Sequence, residues 1–326
     1  MPNTILLPLL ADGEFHSGQD LAAALGISRT AIWKQLNKLK GLGLEIESVK
    51  GRGYRIPDGI DLIDEAKVRA KMTAIGLSLL KELSIQELTD STNMEALRRV
   101  EEGARSGLVC TAEQQTAGRG RRGREWISPF GRNLYVSTVW EFSQGAAALE
   151  GLSLAVGVAV ARALTDLGLP EVQLKWPNDI LYRGKKLGGV LLEMVGDASG
   201  QCQVVVGIGL NVAMPRSAAD SIDQAWTDVS SMAEGGGAPG RNELLGSLLG
   251  QLLPLLAAFE SDGFTPWLEP WQSLDAHAGK SVVLTTGNNK VAGIARGVDP
   301  RGALRLETSV GVESVFGGEI SLRIVE

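Results

Sequence analysis

Residues 118–132 hold four glycines (118, 120, 123, 131) and five arginines (119, 121, 122, 124, 132), beginning with GRGRRG and running past Trp126. Glycine leaves the backbone free and like charges repel, so this is a loop that orders when an anion such as a phosphate neutralises its guanidinium groups. The first six residues also fit G-x-G-x-x-G, the turn that binds dinucleotides. That turn must pass from a strand into a helix whose N-terminus holds the pyrophosphate. Here REWISPFG follows, and Pro129 and Gly131 forbid the helix. No G-K-S/T is present for a P-loop.

Three other segments carry chemical groups at suggestive spacing. KWPND (175–179) sets Asn178 and Asp179 on a proline-fixed turn, where the carboxylate can hold magnesium with triphosphate oxygens or orient a lysine. GKKLGG (184–189) puts Lys186 at the mouth of an apolar strand. VVVGIGLN (204–211) places Gly207 and Gly209 on one strand face and Val206, Ile208 and Leu210 on the other. Glycine weakens a strand unless something approaches the backbone closely. A flat ligand, a bulge or a tight helix contact all satisfy that requirement.

These residues need elements to position them. The pattern predicts strands at 84–88, 108–114, 133–140, 188–195 and 204–210, and a helix opened by Ser91 or Thr92. A long helix is expected over 145–167, with others between Arg241 and Leu274. From Lys280 short strands alternate with glycine turns, which suggests a small β-barrel.

The first 56 residues read differently. Ser17 with Asp20 caps one helix, Gly26 ends it, and Ser28 caps a second. Ile32, Leu36 and Leu39 recur at helical spacing and face inward, leaving Arg29, Thr30, Trp33, Lys34 and Asn37 outside. A hairpin follows with Lys50 and Arg52 at its tip. The whole reads as a winged helix-turn-helix. IPDGID (56–61) is a turn-rich candidate linker.

Charge agrees with this division. The net charge is −6, yet residues 28–55 carry seven basic side chains against Glu45 and Glu47. A basic segment on an acidic protein suggests contact with a polyanion. Two cysteines, Cys110 and Cys202, and two histidines make neither a disulfide framework nor a zinc site, which fits a reducing cytoplasm. Neither a signal peptide nor a membrane span is expected. The apolar tract 244–259 is interrupted by Gln251 and Pro254 and falls short of the roughly 18 residues a span needs.

DSTNMEA (90–96), AEQQTAGRGRRGREWISPFGRNLY (112–135), KWPNDI (175–180), KKLGGVLLE (185–193), GIGLN (207–211) and GGEISLR (317–323) together resemble the biotin–protein ligases. The winged region in front matches the bifunctional bacterial form, which also represses the biotin operon. The resemblance implies an α+β protein of three parts. A winged helix-turn-helix (1–60) precedes a mixed α/β ligase domain of the class II synthetase-like type (61–275) and a small SH3-like β-barrel (276–326). It implies that ATP, with Mg2+, activates biotin as biotinyl-5′-AMP, and that biotin then passes to a lysine of the biotin carboxyl carrier protein.

Residue by residue, the resemblance assigns Arg121 and Lys186 to catalysis. Ser91, Thr92, Asn93, Gln115, Arg119, Gly120, Gly207 and Gly209 fall with that pair in the biotin pocket. Trp126, Asn178, Asp179, Asn211 and Arg323 fall with Arg121 on the nucleotide side, Asp179 beside the metal. Arg29, Thr30, Trp33, Lys34, Asn37, Lys50 and Arg52 become the DNA-contacting set. The family further implies adenylate-driven homodimerisation on a two-fold operator. Trp33 departs from the polar base reader expected in a recognition helix. A lipoate-type ligase and a ligand-sensing transcription factor without catalysis are the alternatives; the biotin-type loop argues against the first, and the intact Arg121, Lys186 and Asp179 against the second.

Overall fold

The computed structural model describes residues 5–145, 149–196, 200–219, 222–233, 237–286, 289–317 and 320–324. Residues 146–148, in the expected long helix, and Gly318 and Glu319, in GGEISLR, lie outside the described residues.

Helices α1 (Leu7–Leu10), α2 (Gly18–Leu25) and α3 (Arg29–Gly41) precede a hairpin of β1 (Glu47–Val49) and β2 (Gly53–Arg55). Ser17 and Ser28 accept the N–H of Asp20 and Ala31, and Gly26 ends α2 at φ 64°. These are the caps the sequence predicts. Ile32, Leu36 and Leu39 are buried with Leu6, Leu21 and Ile56. The hairpin rests on Phe15, whose ring lies 4.1 Å from the Arg52 guanidinium and 4.6 Å from that of Arg55.

The 56–61 turn is no free tether. Ile56 and Ile60 are buried in the same cluster as Phe130, which comes from the far end of the arginine loop. Asp61 accepts the Asn242 side-chain amide at 2.7 Å. Turn-forming residues set the local path, but two isoleucines four apart must still be buried, and here they find Phe130.

Short helices α4 (Glu65–Ala70) and α5 (Ala74–Leu79) lead into the central sheet. Its strands are β3 (Glu82–Thr89), β4 (Leu108–Gln115), β5 (Leu134–Phe142), β6 (Gln173–Lys175), β7 (Asp179–Tyr182), β8 (Lys185–Gly196) and β9 (Cys202–Leu210), ordered β3-β4-β5-β9-β8-β7-β6. Among the described strands of this sheet, β3 and β4 pair in parallel and the other ladders are antiparallel. Helices α7 (Leu152–Asp166) and α9 (Arg241–Asp262) join one sheet face in the main core, with Val204, Val206, Ile208 and Leu210. α6 (Thr92–Glu101) packs on the other face, that of Val205 and hence of Gly207 and Gly209.

Two expectations change. The long helix starts at Leu152, after Gly151 at φ 76°, rather than near Gly145. A Cβ on Gly151 would run into the Phe264 ring, so the turn needs glycine. α9 continues through Pro254 for 22 residues. It is therefore long and apolar enough to cross a membrane, but 61% of its most apolar window is buried inside the protein. The apolar stretch serves the core.

Short α8 (Arg216–Ala219) precedes α9, and α10 (Thr265–Ser273) follows it. The chain ends in an antiparallel sheet of β10 (Ser281–Thr286), β11 (Asn289–Val298), β12 (Leu304–Thr308), β13 (Gly311–Val315) and β14 (Ile320–Ile324), ordered β13-β12-β11-β10-β14. A register shift between Ala295 and Val298 interrupts the β11–β12 ladder. No ladder joins β13 to β14 among the described residues.

Candidate functional site

The arginine loop joins β4 to β5 as a narrow hairpin. Arg119 bridges Glu125, Gly120 N–H donates to Arg124 O at 2.8 Å, and Trp126 N–H donates to Gly118 O at 2.9 Å. Arg122 and Gly123 turn the tip at φ 60° and 69°. The segment returns to a strand, so no dinucleotide helix exists. The loop is also tied to protein partners: Arg119 meets the Glu193 carboxylate at 2.9 Å, and Arg121 donates to Asn178 Oδ1 at 2.9 Å.

Arg121 points into a cavity of about 380 Å³ that opens on the face of β8 and β9 carrying the paired glycines. Burial pushes its guanidinium downward from the ordinary value, and the Asp179 charge opposes that shift. Asn178 is locked for this contact. Its Nδ2 donates to Val190 O at 2.8 Å, which leaves Oδ1 as the acceptor for Arg121. Next to it, Asp179 accepts Lys186 Nζ at 2.7 Å and faces Lys175 at 3.5 Å. Of the two roles open to Asp179, the geometry displays the lysine-orienting one. Lys186 packs over Gly189, its Cε 3.5 Å from where a Cβ would stand, an ordinary contact distance. The Lys186 backbone is held in turn by Ala225 O and the Thr227 N–H.

The opposite end of the cavity is polar, with amides and hydroxyls in front of the Arg119–Glu193 pair. Thr92 N–H donates to Gln115 Oε1 at 2.8 Å, and Gln115 Nε2 donates to Ser128 Oγ at 2.9 Å. Asn93 Nδ2 donates to Glu193 at 2.7 Å while its Oδ1 accepts Ser137 Oγ at 2.6 Å. Ser91 lies at the head of α6. The glycines on β9 are explained by side chains of the protein. A Cβ on Gly207 would strike the Asn93 amide, and one on Gly209 would lie 2.5 Å from the Trp126 indole. Trp126 thus covers Gly209, with Lys186 Nζ 5.5 Å from its ring centroid. Among the described residues its buried indole N–H has no hydrogen-bond partner.

The cavity brings together Ser91, Thr92, Asn93, Gln115, Arg119, Gly120, Arg121, Trp126, Asn178, Asp179, Lys186, Gly207, Gly209 and Arg323. Asn211 is not among its lining residues. It is buried just past the end of β9, and its amide donates to Thr227 O at 3.1 Å. Among the described residues no three His, Cys, Asp or Glu side chains are grouped to hold a metal.

Sequence reasoning missed Glu193, Ser137, Asp223 and Gln224. Glu193 closes the quoted KKLGGVLLE segment, but it reaches Asn93 and Arg119 only through the sheet. Asp223 and Gln224 also line the cavity and sit in a stretch without a recognisable pattern. The remaining predicted set lies elsewhere: Arg29, Thr30, Lys34 and Asn37 are exposed on α3, Lys50 and Arg52 on the hairpin tip, and Trp33 is 60% exposed.

The arrangement suits an elongated ligand. Two cations at one end accept anionic groups, amides and hydroxyls at the other read a polar ring, and Leu191, opposite Gly207 on the cavity face, lines the way between.

Comparison with known proteins agrees. The model of the biotin/lipoate A/B protein ligase family matches residues 85–211, that of an HTH domain matches 3–55, and that of the biotin protein ligase C-terminal domain matches 277–323. The chain is 42% identical to the bifunctional ligase/repressor BirA of Salmonella typhimurium, over 98% of this chain and 97% of that protein. It is 36% identical to the biotin–[acetyl-CoA-carboxylase] ligase of Paracoccus denitrificans, over 71% of this chain and 97% of that one. The structure of biotin protein ligase from Aquifex aeolicus in complex with biotin and ATP superposes with a TM-score of 0.63 at 30% identity, covering 76% of this chain and 100% of that one.

Proposed function

The chain belongs to the biotin protein ligase family, and from that membership we propose that it joins biotin to a carboxylase carrier protein at the expense of ATP and represses transcription through its winged region. A biotin carboxylate oxygen attacks the α-phosphorus of ATP, and diphosphate leaves. The amine of a carrier lysine then attacks the acyl carbon of biotinyl-5′-AMP, and AMP leaves.

The observation that carries this reading is the placement of Arg121 and Lys186. They come from the loop and from β8, line one cavity, and are each oriented by a neighbour, Asn178 and Asp179. Two anions must meet in the first step, and paired cations in a partly desolvated site offset their repulsion and stabilise charge developing at phosphorus. Asn178 thus serves the nucleotide side by holding Arg121. Trp126 covers the adenine side, and Arg323 stands at the rim toward the C-terminal sheet. Thr92, Asn93 and Gln115 read the ureido ring. Closure of the loop keeps water from the mixed anhydride.

The donor set fits magnesium that arrives on the triphosphate. Asp179 would supply one carboxylate oxygen and phosphate oxygens the remainder, and the ion would neutralise the diphosphate leaving group. For repression, the adenylate-bound enzyme dimerises and presents two α3 helices and two hairpin tips to a symmetric operator. Unmodified carrier protein competes for the same state. The enzyme acts in the cytoplasm.

The test is incubation with ATP, magnesium, biotin and a biotin carboxyl carrier domain, followed by mass analysis of its lysine. The expected result is a single biotinyl addition and release of diphosphate. No addition, or preferential attachment of lipoate, overturns the reading.

A further inference from the structure

A hydrogen-bonded chain crosses the polar end of the cavity, and its direction is set by groups that can only accept. At one end Glu193 on β8 takes Asn93 Nδ2 at 2.7 Å. A carboxylate has no proton to give, so this contact fixes which way the Asn93 amide faces. Asn93 Oδ1 then requires the single hydroxyl hydrogen of Ser137, 2.6 Å away. With that hydrogen committed, only the Thr92 hydroxyl can fill the 2.8 Å contact between Ser137 Oγ and Thr92 Oγ1, in preference to its longer 3.2 Å contact with Gln115 Oε1. At the other end the Trp126 carbonyl takes Ser128 Oγ at 2.8 Å, and Ser128 takes the Gln115 amide. Asn93 and Thr92 are each 4% exposed and Ser137 is fully buried, so water cannot rearrange the pattern.

We infer that Glu193 is a positioning residue that acts through Asn93 to set the donor and acceptor pattern by which the pocket selects a cyclic urea. The inference rests on the ligase reading above. With the chain polarised, Thr92 Oγ1 keeps lone pairs for a ligand, and the second amide hydrogens of Gln115 and Asn93 remain to be donated. That mixed set complements a ring carbonyl flanked by N–H groups. Gly207 belongs to the same device, because only glycine leaves space for the Asn93 amide at this position. Glu193 also pairs with Arg119, whose side chain is 45% exposed. An exposed pair contributes little, so the Asn93 contact dominates.

The experiment measures diphosphate release against biotin and ATP concentration in the full-length protein. Glu193→Gln offers Asn93 a donor as well as an acceptor and lets the amide turn. The expected result is a KM for biotin raised roughly tenfold, with kcat and the KM for ATP within about twofold of wild type. Preference for biotin over an analogue whose cyclic urea is replaced by two amines falls in parallel. Glu193→Asp, which keeps the carboxylate, recovers part of the loss. In an Asn93→Ala background Glu193→Gln adds less than about twofold.

An unchanged biotin KM in Glu193→Gln overturns the inference. So does an equal effect in the Asn93→Ala background, which would place the action on Arg119 or on folding. If Glu193→Gln does not fold, Ser137→Ala, which removes only the donor to Asn93, carries the same expectation. Failure of the wild-type protein to release diphosphate would instead refute the ligase reading itself.

Discussion

Arg241 and Glu113 are 3% and 4% exposed and meet through two guanidinium N–H donors at 2.7 and 2.5 Å. The other Glu113 oxygen accepts the Ile63 N–H at 2.8 Å, and its backbone carbonyl accepts Gly131 N–H. The pair therefore joins the start of α9, the segment after the 56–61 turn and the far end of the arginine loop. Arg241→Met removes both donors and leaves a buried carboxylate with one backbone N–H. Breaking a buried pair from one side costs about 3–5 kcal/mol. Replacing both partners, as Glu113→Leu with Arg241→Met, should recover most of that, because no charge is then left to desolvate. The pH dependence supplies a second check. Burial already pushes the Glu113 carboxyl up, and Arg241 opposes that push, so the variant raises it further. A carboxyl raised on folding contributes stability at low pH and loses it as pH climbs through the folded value. The gap between variant and wild type is therefore wider at pH 8 than at pH 5. Urea denaturation at both pH values measures it. A loss under about 1 kcal/mol at pH 8, well below the range for a broken buried pair, or a gap that narrows as pH rises, refutes the reasoning.

Gly209→Ala should displace the Trp126 indole, since the new Cβ would stand 2.5 Å from the ring. Tryptophan fluorescence and the KM for ATP should both change, with biotin binding less affected. His277 is 5% exposed, and burial, with Lys175 and Lys280 nearby, pulls it from 6.5 down to about 4. Its neutral form then supports the fold fully above pH 6.5, and that support is lost as pH falls toward 4. At about 1.4 kcal/mol per pH unit the loss amounts to about 3 kcal/mol, and His277→Gln should flatten this part of the stability profile in thermal or urea titrations. Alanine at Lys34 or Arg52 should weaken operator binding across all sequences and reduce the salt slope by roughly one per phosphate contact. Trp33→Ala should alter sequence preference and leave the slope unchanged, as measured by binding at several salt concentrations.

Local chemistry in the sequence was enough for the caps at Ser17 and Ser28, the inward face of α3 and the alternation that sets Gly207 and Gly209 opposite Ile208. Each depends on neighbours two to four residues away, which backbone geometry alone brings together. The same holds for the exclusion of a dinucleotide turn, since Pro129 and Gly131 act within their own segment. The resemblance of spaced motifs supplied most of the cavity lining. Tertiary structure decided what distance along the chain conceals. Glu193 reaches Asn93 across 100 residues and Arg241 reaches Glu113 across 128; only the strand order and the packing of α9 make them neighbours. Turn composition marked 56–61 as a linker, but burial of Ile56 and Ile60 against Phe130 turned it into a packed joint. Pro254 promised an interruption, yet α9 runs through it, because burial of the surrounding leucines outweighs one missing N–H. Asn211 follows Gly209 in a shared motif, but β9 ends at Leu210, and beyond the strand the Asn211 amide is spent on Thr227 O outside the cavity lining.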